Sequence, residues 1–421
     1  MFARLCVVFV SLIFFLGCVG CNAVLGARVR LVDHSTPRVV LGVERIDEAE
    51  LVPMFQGKCL GLFTNQTGVD SELRSSVDRL RNRYNLVAIY VPEHGLFGAV
   101  KAGEKFGSSE YQGIPVFSLY GDSRRPSKEM LEGIDAMVVD IQDVGVRHYT
   151  YFSSLAYIME ECAQAKKEVI VLDRPNPLGG VVQGPVLKKE YATFIGLYPI
   201  PLRHGLTIGE FACYINAEQG IGAQLNVVPM KGYRNHMDWQ ATRLPWVQTS
   251  PRIPYDETAY MYDITGCIGN TSLSVGIGTG KPFHFVGAEF IDAARVKEAL
   301  DKAQIKGLAF RATGFSPESG ALAGKLLQGV EIYVMNKKQV NLPEAQFKIL
   351  QTLRELYPDR ITFDKRKYGS GGYTIDIGWG EPSLREETSG MTAEQQSQLF
   401  ARWREECRDF ERIVKPYKLY E

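Results

Sequence analysis

The sequence predicts an α/β protein built on a parallel sheet, with a second, smaller α/β domain following it. Three observations carry this expectation. Short apolar runs alternate with helix-length segments from Leu51 to about Val228; each run ends in a polar turn containing Gly or Pro; and the second half goes on mixing helical and strand-like stretches. Strands separated by helices need crossover connections, which make neighbouring strands parallel and cover both faces of the sheet.

The runs are KCLGLFTNQTG, LVAIYVPEHG, IPVFSLYG, DAMVVDIQDVG and EVIVLDRPNPLGG. Between them SELRSSVDRLRNRY and TYFSSLAYIMEECAQAKK read as helices. Later, EFIDAARVKEALDKAQ, LPEAQFKILQTLRELYP and TAEQQSQLFARWREECRDFERIV have amphipathic helical spacing, and VEIYV reads as a strand. Residues 38–235 are therefore expected to form the α/β domain that carries the chemistry, and residues 236–421 the smaller one.

Residues 1–21 read as an export signal. MFARL places Arg4 ahead of the apolar run CVVFVSLIFFLG, which closes in small residues. The run is short for a membrane-spanning helix. Cys18 and Cys21 each follow a glycine, so either suits the lipid-modified first residue of a bacterial lipoprotein. The expected location is outside the cytoplasm, periplasmic or lipid-anchored, with membrane contact only through that anchor. Five further cysteines are scattered without a CxxC pair, which argues against a disulfide framework and against structural zinc. The 48 basic and 48 acidic side chains balance and form no basic block, so no nucleic-acid partner is expected, because phosphate-tracking binders concentrate Lys and Arg.

In an open parallel sheet, ligands bind in the crevice outside the strand carboxyl ends. The residues after each run are therefore the candidates: Asn65 and Gln66; Glu93 and His94; Asp140, Gln142, Asp143, Arg147, His148 and Tyr149; Asp173, Arg174 and Asn176. His204 joins them from the loop before a helix whose start, Thr207 with Glu210 three residues on, has capping-box spacing. Asn65 and Asn176 also suit turns, and Asp140 and Asp173 also suit caps or ion pairs with Arg147 and Arg174. Glu93 stands apart. Pro92 and Gly95 bracket it, and Tyr90, Leu96 and Phe97 are neighbours able to keep it poorly hydrated, a setting that suits a carboxylic acid to proton donation. No G-x-G-x-x-G follows a strand, and SVGIGTGKP lacks the first glycine and the Ser/Thr of a phosphate loop. No nucleotide or other cofactor is expected. A G-x-S-x-G elbow is also missing.

Taken together, NQTG, VPEHGLFG, DIQDVGVRHYTY, DRPNPLGG, RHGLTIGE and PF-x-x-x-GAEFID resemble one bacterial family. It is catalogued as a domain of unknown function, DUF1343, and associated with exo-β-N-acetylmuramidases of the NamZ type. The resemblance runs from about Val40 to the carboxyl terminus. It implies a Rossmann-like first domain, a smaller second domain, a cleft between them, and hydrolysis of the β-glycosidic bond that holds a non-reducing-end N-acetylmuramic acid on a peptidoglycan fragment. By position, Glu93 resembles the family's catalytic glutamate. One stretch departs: GNTSLSVGIGT has Gly269 and Ile277 where the family pattern has an acid and an arginine.

Glycoside hydrolysis ordinarily uses two carboxyl groups. Glu93 is the expected acid, and Asp143, then Asp140 and Asp173, are candidates for its counterpart; a substrate's own acetamido group is the other route. Arg147, Arg174 and His148 are candidate partners for the lactyl carboxylate, and Tyr149 and Tyr151 for the sugar face. The competing expectation is a non-catalytic cell-wall sugar-binding lipoprotein using the same cleft.

Overall fold

A computed structural model describes residues 38–101, 103, 104, 107–121, 123–365 and 372–421. The expected export signal, with Cys18 and Cys21, lies outside the described residues. The strands, in chain order, are β1 (Cys59–Thr64), β2 (Asn85–Val91), β3 (Ser109–Tyr111), β4 (Ile114–Ser118), β5 (Ala136–Asp140), β6 (Glu168–Leu172), β7 (Gln183–Val186), β8 (Pro201–Arg203), β9 (Leu225–Val228), β10 (Phe285–Ala288), β11 (Leu308–Phe315) and β12 (Leu327–Val334).

Seven strands form one sheet in the order β3-β4-β2-β1-β5-β6-β9, parallel throughout except for the short edge strand β3. Counting only the parallel strands, this is the doubly wound order 3-2-1-4-5-6 of dinucleotide-binding folds, in which the direction of winding reverses between β1 and β5. The Rossmann-like expectation holds. Alternating side chains build a core on each face. β1 sends Leu60 and Leu62 to one side and Phe63 to the other, and β6 sends Ile170 and Leu172 one way and Val169 and Val171 the other. Each such fully buried side chain contributes about 1.5–3 kcal/mol.

The helix Tyr151–Gln164 packs on one face through Phe152, Leu155 and Met159; Val77 and Leu80 of the helix Ser76–Arg83 cover the other. The first core continues without a break into a three-stranded antiparallel sheet, order β10-β12-β11, through Val286, Val330 and Ile332. Helix Ala293–Lys302 lies on this smaller sheet and buries Val296 and Leu300, one turn apart. The helices expected in the second half are present, and VEIYV forms the end of β12. β11 carries no alternating sequence signal because it is an edge strand: Arg311 and Gly314 are exposed within it, so its burial does not alternate.

Two long-range ties close the sheet at its carboxyl edge. Arg174, just after β6, donates Nε and Nη2 to the Asp140 carboxylate at the end of β5 at 2.6 and 2.8 Å, and Nη2 also to the Val69 carbonyl at 2.7 Å. Asp173 accepts from the Tyr420 hydroxyl at 2.6 Å, from Thr207 Oγ1 at 2.8 Å and from the Gly209 amide at 2.8 Å, which fixes the start of helix Ile208–Glu218. Asp140 is fully buried and Arg174 nearly so, and removing one partner of such a pair strands the other charge. Arg174→Met is expected to lower unfolding free energy by about 3–5 kcal/mol, measured by urea denaturation; a variant as stable as wild type would show that the pair is dispensable.

Candidate active site

β2 ends at Val91, and the chain turns at once. The Gly95 amide donates back to the Pro92 carbonyl at 3.1 Å, with His94 at φ 75° and Gly95 at φ 73°. A histidine in this left-handed region is uncommon, and such strained residues gather at functional sites. The turn aims Glu93 and His94 into a cavity of about 160 Å³. Glu93 Oε1 accepts the Gly103 amide at 2.7 Å. His94 Nδ1 lies 2.7 Å from the Val100 carbonyl; since a carbonyl only accepts, Nδ1 carries the proton and Nε2 is the ring nitrogen left over.

His148, Tyr149, Thr150 and Tyr151 form a second wall, Ser250 to Ile253 a third, and Tyr262 with Phe283 the back. The rings stand edge to face: Tyr149 on Tyr151 at 4.8 Å and on Tyr262 at 6.1 Å, Tyr262 on Phe283 at 4.9 Å. Tyr262 and His148 Nδ1 share a hydrogen bond of 2.7 Å. Burial, reinforced by Arg147, pushes His148 down to about 3, so this imidazole is neutral. Burial likewise pushes the phenols of Tyr149, Tyr151 and Tyr262 upward, and the Glu93 and Asp143 charges add to it at Tyr151 and Tyr262. They serve as hydroxyl donors and apolar surface. The Tyr149 hydroxyl and His148 Nε2 have no protein partner among the described residues.

Of the residues singled out from sequence, Glu93, His94, His148 and Tyr149, with Tyr151, line the cavity. The others do not, and each has a reason. Asn65 donates Nδ2 to the Tyr151 hydroxyl at 2.8 Å, which itself donates to the Thr249 carbonyl at 2.8 Å; Gln66 Nε2 donates to the Gln248 and Thr249 carbonyls at 2.8 and 3.1 Å. Both hold the walls in place. A Cβ at Gly98 would come within 2.5 Å of the Gln66 side chain, so that tether requires glycine. Gln142 spends its amide on the Asp143 and Pro175 carbonyls. Asn176 bridges the Leu178 amide and the Leu206 carbonyl. His204 is fully buried against Phe152, is pushed down to about 3 by burial, and accepts the Leu206 amide at Nδ1.

The proposed lactyl partners need correction. Arg174 is committed to Asp140, which removes both from the cavity. Arg147 is buried and donates to the carbonyls of Pro185, Ile200, Gly378 and Trp379, where it knits the β7–β8 hairpin to the chain near Trp379. Asp173 is consumed by its cap and by Tyr420. Asp143 lies off the cavity, with Oδ1 on the Gly145 amide at 2.8 Å and Oδ2 unpartnered; burial pushes its carboxyl up to about 7. The apolar neighbours expected to shield Glu93 are also different. Phe97 is 68% exposed and packs on Tyr111, while the phenol of buried Tyr90 binds the Met130 carbonyl. The aromatic wall comes from distant segments instead.

Ser250, Arg252, Ile253, Tyr262 and Phe283 also line the cavity, and no sequence pattern singles them out. They enter from the segment between β9 and β10, and the Pro-punctuated string SPRIP was its only local signal. Gly269 and Ile277, the departures from the family pattern, do not line the cavity; Ile277 packs against the main core. Another crevice, at Arg174 and Trp239, has about 10 Å³, room for one water.

The model of the family described as exo-β-N-acetylmuramidase NamZ matches in both parts, the N-terminal part over residues 60–257 and the C-terminal part over residues 260–420. The chain is 41% identical over 358 residues to the peptidoglycan β-N-acetylmuramidase NamZ of Bacillus subtilis (strain 168), covering 84% of this chain and 86% of that one. Crystal structures of two DUF1343-family proteins from Bacteroides fragilis NCTC 9343 are similar. One has a TM-score of 0.82 at 36% identity and the other 0.71 at 29%, each covering 91% of this chain and 99% of its own. The chain therefore belongs to the NamZ family of exo-β-N-acetylmuramidases, a family of glycosidases.

Proposed function

We propose that the chain hydrolyses the β-glycosidic bond of a terminal N-acetylmuramic acid on peptidoglycan fragments, with Glu93 as general acid. The observation that carries this reading is that Glu93 is the one carboxyl group lining the aromatic-walled cavity among the described residues. A sugar ring laid on Tyr149, Tyr151, Tyr262 and Phe283 meets apolar faces and phenolic hydroxyls, the mixture a pyranose needs. Glu93 gives its proton to the glycosidic oxygen as the bond from that oxygen to C1 breaks. With the export signal expected at the amino terminus, the reaction takes place outside the cytoplasm.

A lone carboxyl favours help from the substrate. The carbonyl oxygen of the 2-acetamido group bonds to C1 from the opposite face and forms a cyclic intermediate. Water then opens that ring at C1, giving its proton to Glu93 and its hydroxyl to the sugar. Inversion occurs twice, so the product keeps the β configuration. Asp143, off the cavity but felt electrostatically by Tyr149, Tyr151 and Tyr262, tunes the wall.

Glu93→Gln is expected to lower kcat by roughly 10²–10⁴-fold on a chromogenic β-muramide while the sugar still binds. Full activity in this variant removes Glu93 from the role, and tight binding without turnover in wild type favours the non-catalytic binder. Proton NMR of the fresh product is expected to show the β anomer first; an initial α anomer rules out internal attack. Asp143 offers a test through stability. Its folded carboxyl, near 7, lies above the ordinary 3.8, so the folded state holds the proton more tightly. The group costs nothing below about pH 4 and destabilises increasingly as pH rises toward 7. The stability of Asp143→Asn relative to wild type is expected to rise across that window in urea titrations; a flat difference contradicts a buried, unpaired acid.

A further inference from the structure

We infer that Arg252 reads the carboxylate that distinguishes muramic acid from other amino sugars, and so sets substrate preference within the glycosidase reading above. Arg252 is the only arginine or lysine lining the cavity among the described residues. The guanidiniums that sequence suggested for this task are unavailable, because Arg174 is paired with Asp140 and Arg147 is surrounded by carbonyls. The histidine of the facing wall is neutral. Unlike those arginines, Arg252 is exposed at the mouth, and no carboxylate pairs with it among the described residues.

The backbone beneath Arg252 is held firmly. Gln66 and the Tyr151 hydroxyl grip the carbonyls of Gln248 and Thr249. The Arg252 amide donates to Ser250 Oγ at 3.3 Å, the Ile253 amide donates to the Ser250 carbonyl at 3.0 Å, and the Ile253 side chain is buried. The loop is thus anchored on both sides of a cation that is itself left for a ligand. A guanidinium grips a carboxylate through two parallel hydrogen bonds. The lactyl ether supplies the one anionic group on the terminal sugar. A positive charge at the mouth compensates the substrate's negative one.

The test compares a chromogenic β-glycoside of N-acetylmuramic acid with its lactyl methyl ester, which differs by loss of the charge. Wild type is expected to prefer the free acid. In Arg252→Gln, kcat/KM on the acid should fall by roughly 10- to 100-fold, the worth of one charge-assisted contact, while the ester changes little, so the acid-to-ester ratio approaches one. Turnover with the wild-type ratio preserved in the variant overturns this inference alone. No turnover of either glycoside by wild type overturns the glycosidase reading and this inference with it.

Discussion

The buried pair between Arg174 and Asp140 is the interaction on which the carboxyl edge of the sheet depends. It sits where the winding reverses, joins the end of β5 to the turn after β6, and takes in the Val69 carbonyl beyond β1. Three loops that would otherwise diverge are held at fixed separations by one planar cation. A guanidinium suits this role because its donors lie in a rigid fork and it stays charged even when buried. Such a pair is an expensive way to gain stability, and its return here is geometric: the loops that carry the walls begin from a defined edge.

Outward from that pair, the polar groups of the rim divide in two. One set is committed to the scaffold: Gln142, Arg147, Asp173 and Asn176 bond to backbone groups of neighbouring loops, and Asn65 to the Tyr151 hydroxyl. The other set, Glu93, His94, His148, Tyr149 and Arg252, borders the cavity. Buried polar atoms are nearly always bonded in folded proteins, and at the cavity the Tyr149 hydroxyl and His148 Nε2 have no protein partner among the described residues. The scaffold set holds the loops apart, so that the second set keeps polar atoms turned to the cavity.

This division also explains what can be read from the sequence. Glu93 is legible because a carboxylate between Pro92 and Gly95, straight after an apolar strand, has little structural work to do. The strands are legible because their apolar runs end in turns at regular intervals. What stays hidden is which polar neighbours consume each other. As text, Arg147 and Arg174 are equivalent basic residues beside acids; in three dimensions one lies among carbonyls and the other locks β5 to β6. Tyr262 and Arg252 are invisible for a different reason, since their arrival depends on a tether from Gln66 to a carbonyl 183 residues away. No local pattern records such a contact.

The bond from Tyr420 to Asp173 spans 247 positions, and the neighbouring Asn235 amide donates to the Glu421 carbonyl at 3.0 Å. The turn after β6, although made early in synthesis, therefore lacks one of its acceptor's partners until Tyr420 has emerged. A chain synthesised only as far as β9 holds all the strands of the first sheet but lacks that bond. Tyr420 and Glu421 thus tie the segment that follows the helix Ala393–Val414 back to turns far earlier in the chain.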